Sequence, residues 1–223
     1  MLSLFILIMI ILLLSFNQKA QVENPQSIII NEVMVCPIES DYYNEWIELY
    51  NPSDISIDVK NWTIDDGVEK DTIIGDLEHG NGTTIIPPYN YAILTDKGTK
   101  AYENFTIPEN AIKLFVDDSS ICGYGLNNNQ EKLILSDSAG NIIDAIEWGF
   151  DYIDVPGLPA YCVNKGNSLS RYPVRDENNS ILDFYFAITP TPGIKNVVDL
   201  DVELYPIYIS KISKDKDHSI PIL

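Results

Sequence analysis

The sequence predicts an all-β protein, an antiparallel sandwich or barrel, on three observations. Short β-branched or alternating apolar runs recur at spacings of roughly 8 to 12 residues. Gly, Pro, Asn or Asp bounds nearly every run. No segment sustains the 3.6-residue apolar period of a helix. The chain has 223 residues, 45% of them hydrophobic, with 13 Tyr, which is enough to bury one core with appendages to spare.

Residues 2–16 are apolar except for Ser3 and Ser15, and the first charge is Lys19. A membrane span needs about 20 residues, so this run reads as the apolar region of a secretory signal removed near residue 20, or as an uncleaved N-terminal anchor. Residues 28–35 then form a β-branched strand closed by Cys36-Pro37, where the ring nitrogen can donate nothing to a ladder. In residues 45–50 the alternation puts Ile47 and Leu49 on one face and Trp46, Glu48 and Tyr50 on the other. The Asn51-Pro52-Ser53-Asp54 cluster turns the chain. Further short strands are expected over 55–59, 61–64, 72–74, 83–86, 91–95 and 111–116. Residues 132–148 form a hairpin about Ser138-Ala139-Gly140, which sets Glu131 beside Gly149 at its open end. The domain is expected over 27–196. Residues 197–223, too few for a core of their own, read as an added edge strand, a frayed extension or a truncated second domain.

Charge excludes one class of partner. Fourteen basic residues face 33 acidic ones, for a net charge of -19, so the counterion release that drives nucleic-acid binding is missing. Two histidines, His79 and His218, leave little for His-based catalysis or zinc.

Several stretches together resemble the lamin tail domain family. They are Ile30-Asn31-Glu32-Val33, Glu45-Trp46-Ile47-Glu48-Leu49-Tyr50-Asn51, Trp62-Thr63-Ile64 before Asp66-Gly67, and Ile86-Pro87-Pro88-Tyr89. The hairpin from Leu133 to Trp148, Ser168-Leu169-Ser170-Arg171 and Thr191-Pro192-Gly193-Ile194-Lys195-Asn196 follow in the same order. The resemblance implies an immunoglobulin-like antiparallel β-sandwich, found in nuclear lamins and as exported modules of prokaryotic surface and secreted proteins, and not known as a catalyst. This chain has an apolar leader, no coiled-coil rod and no basic nuclear-localisation cluster, so filament assembly and nuclear roles are not carried over.

Each candidate for chemistry has a plainer reading. Trp46, Trp62 and Trp148 are expected in the core rather than on a ligand platform. Glu32, Glu45 and Glu48 could act as general acid and base. With no His, Lys or Arg beside them in sequence, they read instead as surface carboxylates or as hydrogen-bonded groups that fix strand pairing. Asp65-Asp66, Asp117-Asp118 and Asp199 with Asp201 could take Ca²⁺, but none fits the spaced acidic loop, which favours solvated turns. Ser168 and Ser170 sit in no nucleophile turn. Four Asn-x-Ser/Thr tripeptides, at Asn61, Asn81, Asn104 and Asn178, are glycosylation candidates if the chain is exported. Of three cysteines, Cys122 and Cys162 flank the open end of the hairpin and are the expected disulfide, leaving Cys36 free.

The expectation is thus an exported, non-enzymatic module for interactions at the cell surface, with a protein or surface polysaccharide as partner. It requires no cofactor and touches a membrane only through an uncleaved leader. The alternatives are a polysaccharide- or Ca²⁺-binding accessory domain and a metal-dependent hydrolase using clustered carboxylates. A mobility-shift titration with duplex DNA is expected to show no complex even at low salt; micromolar binding at about 150 mM salt would contradict the charge argument.

Overall fold

The computed structural model describes residues 27–161, 163–172 and 178–197. Twelve strands follow one another: β1 (Ile29–Met34), β2 (Trp46–Tyr50), β3 (Ile57–Asp58), β4 (Thr63–Asp65), β5 (Lys70–Ile74), β6 (Ile85–Ile86), β7 (Tyr91–Thr95), β8 (Ile112–Val116), β9 (Glu131–Ser136), β10 (Ile142–Trp148), β11 (Ser168–Arg171) and β12 (Phe184–Ala187). Two single-turn helices, α1 (Ala101–Asn104) and α2 (Ser180–Asp183), interrupt them. No helix among the described residues is long and apolar enough to cross a membrane. The leader, Cys162 and most of the C-terminal extension lie outside the described residues.

Ten strands form one sheet in the order β10-β9-β4-β5-β8-β7-β2-β1-β11-β12, and β3 pairs with β6 as a separate ribbon. The long sheet curls on itself into the two layers of an immunoglobulin-like sandwich. Ile64, Leu133, Leu135, Ile146 and Trp148 of β4, β9 and β10 pack against Ile30, Val33, Ile47, Leu49, Leu94, Leu114 and Leu169 of the facing layer. Trp62 and Trp148 belong to this core. A bulge between Ile30 and Glu32 resets the alternation of β1, so that Ile28 and Ile30 before it and Val33 and Val35 after it all reach the core.

Two sequence expectations need correction. The ladder is antiparallel except at one place: β7 and β8 run parallel, with Leu94 opposite Leu114. The connection between them is long enough for a crossover, and α1 forms part of it. The two helices had no sequence signal because a single turn is too short to show a period.

Where the sheet curls back, an ion cluster ties β10 to β1 and β11. Arg171 is fully buried; its Nη2 lies 2.8 Å from Asp144 Oδ2 and its Nη1 3.4 Å from Asp183 Oδ2. Its Nε donates to the Ile30 carbonyl at 2.8 Å, and Asp144 Oδ2 accepts the Ile30 N–H at 2.7 Å. One cation thus serves two carboxylates from two elements. Arg171→Met should cost about 3 to 5 kcal/mol of unfolding free energy, read from urea denaturation, because the guanidinium that both buried acids contact is removed. Arg171→Lys should recover only part of that, lacking the planar fork.

Candidate functional site

The outer face of the second layer, expected to meet solvent, is covered. Residues 98–111 cross it, and Ala101 of α1 packs with Met34, Trp46 and Ile93 in a second small core. Phe105 meets the Trp46 ring edge-on, 5.8 Å between centroids. The Lys113 ammonium sits 4.2 Å from the Tyr102 ring centre. Residues 188–196 form a second strap over β11, β1 and β2. Between the straps and the sheet lie Glu32 and Glu48, directly opposite one another on β1 and β2 and both fully buried. The surface reading of Glu32, Glu45 and Glu48 is therefore overturned: strand alternation aims Glu32 and Glu48 outward and the straps close over them, while Glu45, just before β2, is buried against residues 125–126.

Like charges placed opposite one another on a sheet repel, and burial without a cation raises the cost further. Hydrogen bonds from the protein offset it. Glu32 accepts the Ser168 hydroxyl, the Thr191 N–H at 3.1 Å and the Thr191 hydroxyl at 3.0 Å. Glu48 accepts the Asn31 amide at 2.6 Å and the Gly193 N–H. Asn196 fixes the polarity of the network. Its Nδ2 donates to the Asn31 and Arg171 carbonyls, each at 2.9 Å, so its Oδ1 must accept from Asn31 Nδ2, at 3.0 Å. Gly193 adopts φ +86°, and a Cβ there would lie 2.7 Å from Pro108 Cδ, so only glycine lets the strap pass beside residues 107–111 and still reach Glu48. Burial pushes the Glu48 carboxyl well above the usual carboxylate range, and the Glu32 charge adds to it. Burial raises Glu32 too, against the pull of its hydroxyl and N–H donors.

Glu45 forms a second interior acid. Burial lifts its carboxyl to about 8, opposed by the Leu126 N–H that it accepts at 2.9 Å. Gly125, at φ +81°, makes that approach possible, since a Cβ would stand 2.5 Å from Glu45 Oε2. Asn51 completes the set: its amide donates to the Ile55 and Ile86 carbonyls at 2.7 and 2.9 Å, tying the turn after β2 to β6. Asn31, Glu32, Glu45, Trp46, Ile47, Glu48, Leu49 and Asn51 are all buried, so the motif that carries the resemblance is an interior one. Ser168 and Ser170 are buried beside it, 3.3 Å apart, with Ser168 donating to Glu32.

The acidic pairs separate differently. Asp65 pairs with Lys70 at 3.0 Å, Asp66 caps the Val68 and Glu69 N–H groups, and Asp117 accepts the Thr72 N–H at 2.8 Å. Asp199 and Asp201 lie outside the described residues. The group able to offer three carboxylates to one cation is Glu69, Asp71 and Asp118, with oxygens within 4.8 Å of one another. Sequence reading missed Glu69 and Asp71 because the pairing of β5 with β8 brings them to Asp118. Asp71 is buried, accepts the Cys122 N–H at 2.6 Å and is lifted to about 6, chiefly by burial.

Cys36 and Cys122 carry free thiols. Cys122 faces the main core and its backbone bonds Asp71, which turns the thiol inward; Cys162, its expected disulfide partner, lies outside the described residues. Asn61, Asn81, Asn104 and Asn178 are all exposed, with Asn104 Nδ2 also donating to Asn44 Oδ1 at 2.7 Å.

These acids set the pH response. A carboxyl whose folded pKa is raised binds more protons folded than unfolded between the two values, so stability is present at low pH and lost as pH rises. For Glu45 that window runs from the ordinary 4.5 to about 8, and for Asp71 from 3.8 to about 6. The urea midpoint is therefore expected to rise as pH falls from 8 to 5, each proton contributing a slope of up to about 1.4 kcal/mol per pH unit, and Glu45→Gln should flatten the profile. Glu48→Ala, which takes the acceptor from the Gly193 N–H and from one N–H of the Asn31 amide, should cost about 2 to 5 kcal/mol at neutral pH.

A family model for the Lamin Tail Domain matches residues 21–150, more than half of the chain. No curated protein matches it. The match takes in β1 to β10 and the motif from Asn31 to Asn51, while β11, β12 and the strap that satisfies Glu32 and Glu48 follow it. The chain belongs to the lamin tail domain family of immunoglobulin-like β-sandwiches, modules that are typically non-catalytic.

Proposed function

We propose that this lamin tail domain is a non-enzymatic interaction module that acts at the cell surface or beyond it, on a protein or surface-polysaccharide partner. The observation that carries the reading is the use made of Glu32 and Glu48. Every one of their four oxygens accepts a hydrogen bond from the protein, so the acids best placed for proton transfer hold a strap in position. Export is supported by the apolar run over 2–16 and by the four exposed glycosylation acceptors that follow it.

Fractionation of native cells, with N-terminal sequencing and glycosidase treatment of the recovered chain, tests the address. The expected product begins near residue 21 in the envelope or the medium. A cytoplasmic chain beginning at Met1 would overturn it. The Glu69, Asp71 and Asp118 group favours Ca²⁺ binding as a second reading: a rise in Tm with millimolar Ca²⁺ that Asp118→Asn removes would support it, and an unchanged Tm would dismiss it.

A further inference from the structure

The strap over 98–111 places an acceptor nitrogen at the wall of a cavity. Asn104, the last residue of α1, begins the tripeptide Asn104-Phe105-Thr106, and both Asn104 and Thr106 are exposed. Asn44, buried just before β2, settles which way the Asn104 amide lies. The Asn44 Nδ2 donates to the Ser40 carbonyl at 2.7 Å and to the Tyr42 carbonyl at 3.2 Å, so its Oδ1 is left to accept. Asn104 therefore presents nitrogen to that oxygen, at 2.7 Å. An amide nitrogen carries two protons, and this contact uses one of them.

Both asparagines line a cavity of about 310 Å³. Met34, Pro37, Phe105, Ile188 and Pro190 give it apolar walls, and Glu39 and Thr189 add polar groups. Ligand sites run from about 300 to 1,000 Å³, so this one has room for a single ring and not for a chain of them. C–H surface beside hydrogen-bonding side chains is the chemistry that receives a sugar, which has an apolar ring face and a rim of hydroxyls. Ile38 and Ile188, which line the cavity, are 71% and 63% exposed, so apolar surface stands open to an occupant. The walls come from the loop after β1, the end of α1 and the start of the 188–196 strap, so one ring seated there touches both straps.

We infer that Asn104 carries an N-linked glycan whose first sugar occupies this cavity and clasps the two straps together, an inference that rests on the export reading above. The donor is a polyprenyl-diphosphate-linked oligosaccharide. The bond from Asn104 Nδ2 to the sugar C1 forms as the C1–O bond to the diphosphate breaks; Nδ2 gives up one proton and the lipid diphosphate leaves. The proton that Nδ2 keeps still donates to Asn44 Oδ1, which holds the linkage at the cavity wall. The sugar lays its C–H face on Phe105, Ile188 and Pro190 and turns its hydroxyls to Glu39 and Thr189.

Peptide mapping of the chain recovered from its own cells, with thermal melting of that chain beside its Thr106→Ala variant, tests the inference. Thr106→Ala abolishes the acceptor tripeptide and leaves the Asn104 amide on Asn44. Asn104 is expected to be modified, and the variant to melt roughly 2 to 4 °C lower. An endoglycosidase that trims the glycan to its first sugar should leave the wild-type Tm where it was. Made without glycosylation, wild type and variant should melt together. A bare Asn104 in an exported chain, equal Tm values, a loss of Tm on trimming, or the same deficit in the unglycosylated pair would each overturn the inference while export stands. A cytoplasmic chain without glycan would overturn both.

Discussion

Two carboxyl groups buried face to face without a cation are the constraint around which this lamin tail domain is organised. Glu32 and Glu48 occupy opposite positions on adjacent strands, where an apolar pair would be cheaper. Their presence is tolerable only because donors converge on them from Asn31, Ser168, Thr191 and Gly193. Those donors come from three separate stretches of chain, so satisfying two side chains fixes the register of β1, the placement of β11 and the course of residues 191–196. The residues that mark the family are thereby explained as a folding device. Chemistry on a substrate asks for exposed, underemployed acids, and these are neither.

A second polar cluster does complementary work between the layers. Arg171 and Asp144 sit on the inward side of β11 and β10, and the bulge between Ile142 and Asp144 adjusts the alternation of β10 there. The apolar core presses the layers together without direction, whereas a guanidinium shared by two acids specifies which strand ends meet. The network at Glu32 holds the outer face and the cluster at Arg171 holds the inner seam. Both reach carbonyls of β1, Asn31 through Asn196 and Ile30 through Arg171, and Asn196 also binds the Arg171 carbonyl on β11.

Most strands were legible because each is short, alternating and bounded by turn residues: Tyr91–Thr95 matches its expected span, and Ile29–Met34 and Ile112–Val116 fall within theirs. The hairpin of β9 and β10 was legible to its pairing, with Trp148 opposite Glu131. What escaped depends on contacts between distant residues. Period two says which side chains share a face, and nothing about whether a strap will cover that face, so Glu48 stayed open between a surface carboxylate and a hydrogen-bonded group fixing strand pairing, while Ile47 read as core. The parallel pairing of β7 with β8 escaped because alternation is blind to strand direction. β12 escaped because Phe-Tyr-Phe-Ala has no alternation to find. The grouping of Asp71 with Asp118 likewise arises from sheet pairing across tens of residues.

The separation along the chain between Glu48 and its partner at Gly193, 145 residues, gives the fold a clock. At synthesis rates of about 5 to 20 residues per second, roughly 7 to 30 s pass between the emergence of one and the other. During that interval β1 and β2 hold two carboxyls whose nearby donor is the Asn31 amide, without the N–H groups of Thr191 and Gly193, and water is the better solvent for them. The strap over 188–196 is therefore the last of the described cover to form, and the same late segment brings Asn196 to β11. The acids of the first two strands thus receive their full set of donors only after one of the last described segments has been made.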